Sequence, residues 1–103
     1  PTSLTNRMRQ GSLEVDQILR QVTDAGRPVP VTFAEFNLLA LMMEMPGRIW
    51  SYSELARALW GVGYRFKDES SRRFVQTLRR KMVAVAGQST IITVEDRGYR
   101  FDL

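Results

Sequence analysis

The chain has 103 residues, 44% of them hydrophobic, with five Phe, three Tyr and two Trp, enough for one domain around one modest core. It has no cysteine and no histidine, which removes disulfides, thiolate metal sites, the usual zinc ligands and the usual general base. Its net charge of +4 lies wholly in the second half: residues 1–51 balance five arginines against five acids, whereas residues 52–103 carry ten bases against six acids. A basic half points to a polyanion, either nucleic acid or an anionic membrane surface. No apolar run approaches the length of a membrane span, and the first residues do not form a signal peptide. The expectation is a bacterial-type cytoplasmic protein that is not an enzyme and needs no cofactor or metal. A chain opening on Pro1 rather than Met reads as a fragment or a processed form.

Residues 1–11 are polar and without hydrophobic period, and read as a linker or frayed tail ahead of a domain over 12–103. From Ser12 to Val31 the pattern is strand-like. Leu13 and Val15 alternate with polar neighbours, Asp24-Ala25-Gly26 marks a turn, and Pro28 and Pro30 confine the Val29 segment to a sheet edge. A small antiparallel sheet of three or four short strands follows from this. Thr32 and Glu35 have capping-box spacing, so a helix starts there; Phe36, Leu38, Leu39, Leu41, Met42 and Met43 give it a wide apolar face, and Pro46-Gly47 ends it. Ser51 and Glu54 repeat that spacing for a second helix, with Leu55, Ala56, Leu59 and Trp60 inward and Gly61 and Gly63 as its stop. Tyr52 stands in its first turn, where free N–H groups and a hydroxyl suit a phosphate, although a surface tyrosine on a cap reads the same way. Trp50 reads as a packing residue. Gly61 to Lys67 is a loop too long for a tight helix-turn-helix, and its Tyr64, Arg65 and Phe66 form a candidate protein-binding segment.

The most informative stretch is Asp68 to Val85. Val75, Leu78, Met82 and Val85 recur at helical spacing, with Arg73, Gln76, Thr77 and Arg80 opposite them and Arg72 and Arg79 on the flanks. Ser70 or Ser71 is placed to cap its start. A merely soluble helix would intersperse glutamates; this face instead mixes Arg with Gln and Thr, side chains that can read base edges. Ala86 to Ser89 reads as a turn. Ile91–Val94 and Gly98–Phe101 then form a hairpin whose tip carries Arg97, placed to enter a minor groove.

Three separated stretches, VTFAEFNLLALMMEMPGRIWSYSELARALWG, TLRRKM and IITV…RGYRF, make residues 12–103 resemble the C-terminal effector domain of OmpR/PhoB-type response regulators. The resemblance implies an α+β winged helix-turn-helix: an N-terminal antiparallel sheet, three helices and a C-terminal β-hairpin wing. It implies a recognition helix over 71–85 in the major groove and a wing over 91–101 beside the minor groove. It also implies an RNA polymerase contact through Gly61 to Glu69. The sequence departs from the family pattern at Ser71 and Arg72, and at Glu95-Asp96, where the family carries an Arg-Gly pair. Arg97 therefore stands in for the usual wing arginine.

Sequence-specific binding of double-stranded DNA by a transcription regulator is the resulting expectation. Arg73 and Arg80 are assigned to guanine or phosphate, Gln76 to adenine and Thr77 to a thymine methyl. Arg72, Arg79, Lys81, Ser51, Tyr52 and Thr93 are assigned to the backbone. Arg79 borders the apolar face and has an alternative as the partner of Glu35 or Glu54. Tandem sites or a dimer would raise the affinity of so small an interface. The rival expectation is a winged helix that binds protein, either RNA polymerase or a partner regulator. Phe74 separates the two: exposed beside Arg73 it favours protein, buried it favours DNA.

Overall fold

The structure, a computed structural model, describes residues 7–60, 68–87 and 89–102. Alternation sets the facing of the first strands. In β2 (Leu13–Asp16) Leu13 and Val15 are buried while Glu14 and Asp16 reach solvent, and Val15 lies opposite the buried Val22 of β3 (Gln21–Asp24). The short β4 (Arg27–Pro28) pairs with β3 at two positions, at the edge to which its proline confines it.

A further strand occupies the stretch read as a tail. β1 (Arg7–Gln10) pairs antiparallel with β2, giving one sheet in the order β1-β2-β3-β4. Only Met8, opposite Val15, packs against the core, so a single apolar residue was all the sequence offered. The outer face is held by cross-strand ion pairs that no local pattern announces: Arg7 to Asp16 at 3.2 Å and Arg9 to Glu14 at 3.0 Å.

Both capping boxes form. In α1 (Phe33–Glu44) the Glu35 amide donates to the Thr32 hydroxyl and the Thr32 amide to the Glu35 carboxylate, at 3.2 and 2.9 Å. In α2 (Tyr52–Trp60) Ser51 and Glu54 do the same at 3.1 and 2.9 Å. α3 (Asp68–Ala86) is helical from Asp68, so Ser70 and Ser71 lie inside its first turn rather than capping it. The helix also runs through Ala86, and Gly87 closes it with a 2.8 Å bond to the Val83 carbonyl. Gly61 to Lys67, with Tyr64, Arg65 and Phe66, lies outside the described residues.

β5 (Ile91–Val94) and β6 (Gly98–Phe101) form the expected hairpin, pairing from Ile91 with Phe101 to Val94 with Gly98. Trp50 then adds an unforeseen bridge to β6: its amide donates to the Tyr99 carbonyl at 2.7 Å and the Tyr99 amide returns 2.9 Å to Trp50. Gly98 makes this approach possible. At φ +140 it carries no Cβ where one would stand 1.9 Å from the Trp50 carbonyl oxygen. One core joins the sheet, the three helices and the wing through Val15, Val22, Leu38, Leu39, Met42, Leu55, Val75, Leu78, Met82, Ile91 and Phe101.

Candidate nucleic-acid interface

The apolar stripe of α3 fixes what its other side presents. Val75, Leu78 and Met82 are at most 2% exposed, so Arg73, Gln76 and Arg80 are turned outward, and all three are exposed along with Arg72. Thr77 is half-buried, and its hydroxyl donates to the Arg73 carbonyl at 2.9 Å, leaving its methyl as the group it can offer. Phe74 is half-buried and packs against the core, so it is neither fully exposed beside Arg73 nor fully buried.

The flanks are more committed than their sequence suggests. Arg79 is half-buried; its guanidinium donates to the Thr93 hydroxyl at 2.6 Å and lies 5.1 Å from the centre of the Tyr99 ring. Neither carboxylate proposed for Arg79 takes it. Glu54 pairs with Arg48, and Glu35 takes Lys81 at 2.6 Å. Lys81, assigned by sequence to the DNA backbone, is thus held on the core side of the helix. The reason is positional: Lys81 directly precedes the buried Met82 and its chain can reach α1 along the helix flank.

An aromatic ladder joins α2 and α3 to the wing. Arg72 lies 5.3 Å over the Tyr52 ring, and Tyr52 meets Tyr99 edge-on at 5.6 Å. Tyr52 is half-buried in this contact, so it is not a free surface tyrosine. Ser51 spends its hydroxyl on the cap. Burial, with the neighbouring Tyr52, raises the Tyr99 hydroxyl above its ordinary pKa. Arg48 stacks 3.7 Å over Trp50 and pairs with Glu54, whose carboxyl is lowered mainly by the Ser51 amide and further by the Ser51 hydroxyl and Arg48. Tyr99 and Arg48 had no role in the sequence reading. The alternation after Gly98 could have placed Tyr99 inward, but its bond to Trp50 joins residues 49 apart. Thr93 and Arg97 are exposed on the wing, Arg97 at its tip.

Residues 26–101 match the family model described as "Transcriptional regulatory protein, C terminal". The chain belongs to this family. It is a family of transcriptional regulators rather than enzymes, and its effector domain is the OmpR/PhoB-type winged helix that the sequence resembles. The chain is similar to the DNA-binding domain of RstA from Klebsiella pneumoniae, solved in complex with the RstA box. The two are 32% identical with a TM-score of 0.82, over 94% of this chain and 97% of that one. It is also similar to the DNA-binding domain of CssR from Bacillus subtilis, at 31% identity and TM-score 0.76, over 87% of this chain and 99% of that one. The response regulator MprA of Mycolicibacterium vanbaalenii is 32% identical over 92 residues, which is 89% of this chain and 40% of that protein. The transcriptional regulatory domain described here thus spans less than half the length of the curated relatives it matches. Among the described residues, no helix is long and apolar enough to cross a membrane.

Proposed function

We propose that this effector domain reads double-stranded DNA by placing the exposed face of α3 in a major groove, with the β5–β6 wing against the adjacent minor groove. The observation that carries this reading is the division of α3. Its apolar stripe is sealed in the core, so Arg73, Gln76 and Arg80 are presented together on one helix face, while Arg97 is exposed at the tip of the wing. Arg and Gln match guanine and adenine edges by their donor and acceptor geometry, each good pair giving about 1–3 kcal/mol of discrimination. Arg72, Arg79, Tyr52 and Thr93 form a connected group at the junction of α2, α3 and β5, suited to the phosphate backbone. The solved complex of the similar RstA domain with its box supports the reading.

Binding to a pool of random duplexes over a salt series tests it. An enriched motif is expected, with Arg80→Ala and Arg73→Ala relaxing preference at separate positions by about 5- to 150-fold. Weak binding with a steep salt slope and no motif would leave only a basic surface and overturn the assignment. Two extensions belong to the same reading: paired domains on tandem or repeated half-sites, and an RNA polymerase contact through Gly61 to Glu69. The site of action is then the bacterial cytoplasm, where the chromosome lies. The alternative, a protein-binding winged helix, would draw on Phe74, which is half-buried against the core.

A further inference from the structure

Glu35 is the one charged residue among the buried side chains described, at 3% exposure. A lone carboxylate there would be costly, and it is retained through two donors that meet at the same atom. Its Oε1 accepts the Thr32 amide at 2.9 Å, which starts α1, and the Lys81 ammonium at 2.6 Å, which comes from α3. Lys81 is itself only 29% exposed. One oxygen therefore ties the first turn of α1 to the flank of the helix that carries the proposed reading face.

The other flank is tied as well, by Arg79 to Thr93 at 2.6 Å. At about 100° per residue, Arg79 and Lys81 fall roughly 80° to either side of the centre of the buried stripe, and Arg80 falls about opposite it. Val75, Leu78, Met82 and Val85 press the helix onto the core, but apolar contact is non-directional and Met is adaptable. Directional bonds on both sides determine how far the helix can roll. With side chains reaching about 5–6 Å from the axis, a roll of about 20° carries a tip about 2 Å, enough to break a paired contact to a base. We infer that Glu35, acting through Lys81, sets the roll of α3 and is a positioning residue for base reading, although neither side chain touches the DNA.

This inference rests on the DNA reading above, and its test separates the two. Glu35→Gln and Lys81→Met are compared with the unaltered chain for affinity to the selected motif, affinity to random duplex, and salt slope, with folding checked by circular dichroism. Each variant is expected to lower the ratio of motif to random affinity by about 5-fold or more. The salt slope should stay unchanged, because no phosphate contact is lost. A slope reduced by about one in Lys81→Met would make Lys81 a phosphate ligand and overturn the inference, as would an unchanged ratio in folded Glu35→Gln. If either single variant fails to fold, the Glu35→Met/Lys81→Met double variant removes the pair without stranding a charge, and its ratio decides by the same criterion. If the unaltered chain shows no preferred motif, the DNA reading fails by itself. The base-reading role then falls with it, and the roll alone is read from amide chemical shifts of Gln76 and Arg80: shifts that move in Glu35→Gln support Glu35 as its determinant, and unmoved shifts overturn that as well.

Discussion

Replacing Gly98 with alanine tests how the wing is fastened. The new Cβ would stand 1.9 Å from the Trp50 carbonyl oxygen, 2.8 Å from its carbon and 3.0 Å from the Ser51 Cα, all backbone atoms that no rotamer change can clear. The backbone would also have to hold alanine at φ +140, a strain of about 1–3 kcal/mol. Relieving the overlap means parting β6 from Trp50, with loss of the 2.7 and 2.9 Å hydrogen bonds at about 1 kcal/mol each. The expected destabilisation is therefore about 3–5 kcal/mol, a large share of the roughly 5–15 kcal/mol typical of a domain. Urea unfolding followed by far-UV circular dichroism measures it, and melting should fall by roughly 15–30 °C. Gly87→Ala supplies the control. That glycine has φ +80, but a Cβ added there would meet nothing within 4 Å, so the change should cost only the backbone strain, about 1 kcal/mol. Equal losses in the two variants would refute the close approach of Gly98 to Trp50.

Phe101→Ala removes a side chain that is 0% exposed and should cost about 3–5 kcal/mol in the same urea assay. Glu54 has its folded pKa lowered, so its contribution to stability is present above the ordinary glutamate pKa and is lost as pH falls through the folded value. Glu54→Gln should accordingly flatten the acid limb of a stability-versus-pH curve, and an unchanged limb would contradict the Ser51–Glu54–Arg48 arrangement. Tyr99, with its folded pKa raised, contributes stability fully below the ordinary tyrosine value of 10.0 and loses it as pH rises through the folded value. Absorbance titration of the chain against Tyr99→Phe should show the missing phenol to be a late one.

Local signals in the sequence were strong where one segment both encodes and uses its structure. Thr32 with Glu35, and Ser51 with Glu54, announced two helix starts through a three-residue spacing that the hydrogen bonds reproduce. The period of Val75, Leu78 and Met82 likewise separated the buried and outward faces of α3. What escaped were contacts made between distant segments. β1 depends on Met8 meeting Val15 and on arginines meeting acids across the sheet, and Trp50 joins a strand 49 residues further on. Lys81 shows the same limit at the candidate site. Its charge was plain in the sequence, but its partner lies 46 residues away, so a cation directed to a buried carboxylate looked like one offered to phosphate.

The bridge between Trp50 and Tyr99 also bears on the order in which the molecule assembles. The sheet is a meander of neighbouring strands, and each capping box closes within four residues, so these parts can form early and independently. Joining Trp50 to Tyr99, and Gly47 to Phe101 at 2.9 Å, instead closes loops of some fifty residues, at an entropic cost of about 3.5 kcal/mol. During synthesis the start of α2 emerges well before the strand that anchors it. The wing, and with it the aligned surface of α3, is expected to settle last, so a ribosome-bound chain would acquire its helices before it acquired any ability to discriminate among DNA sequences.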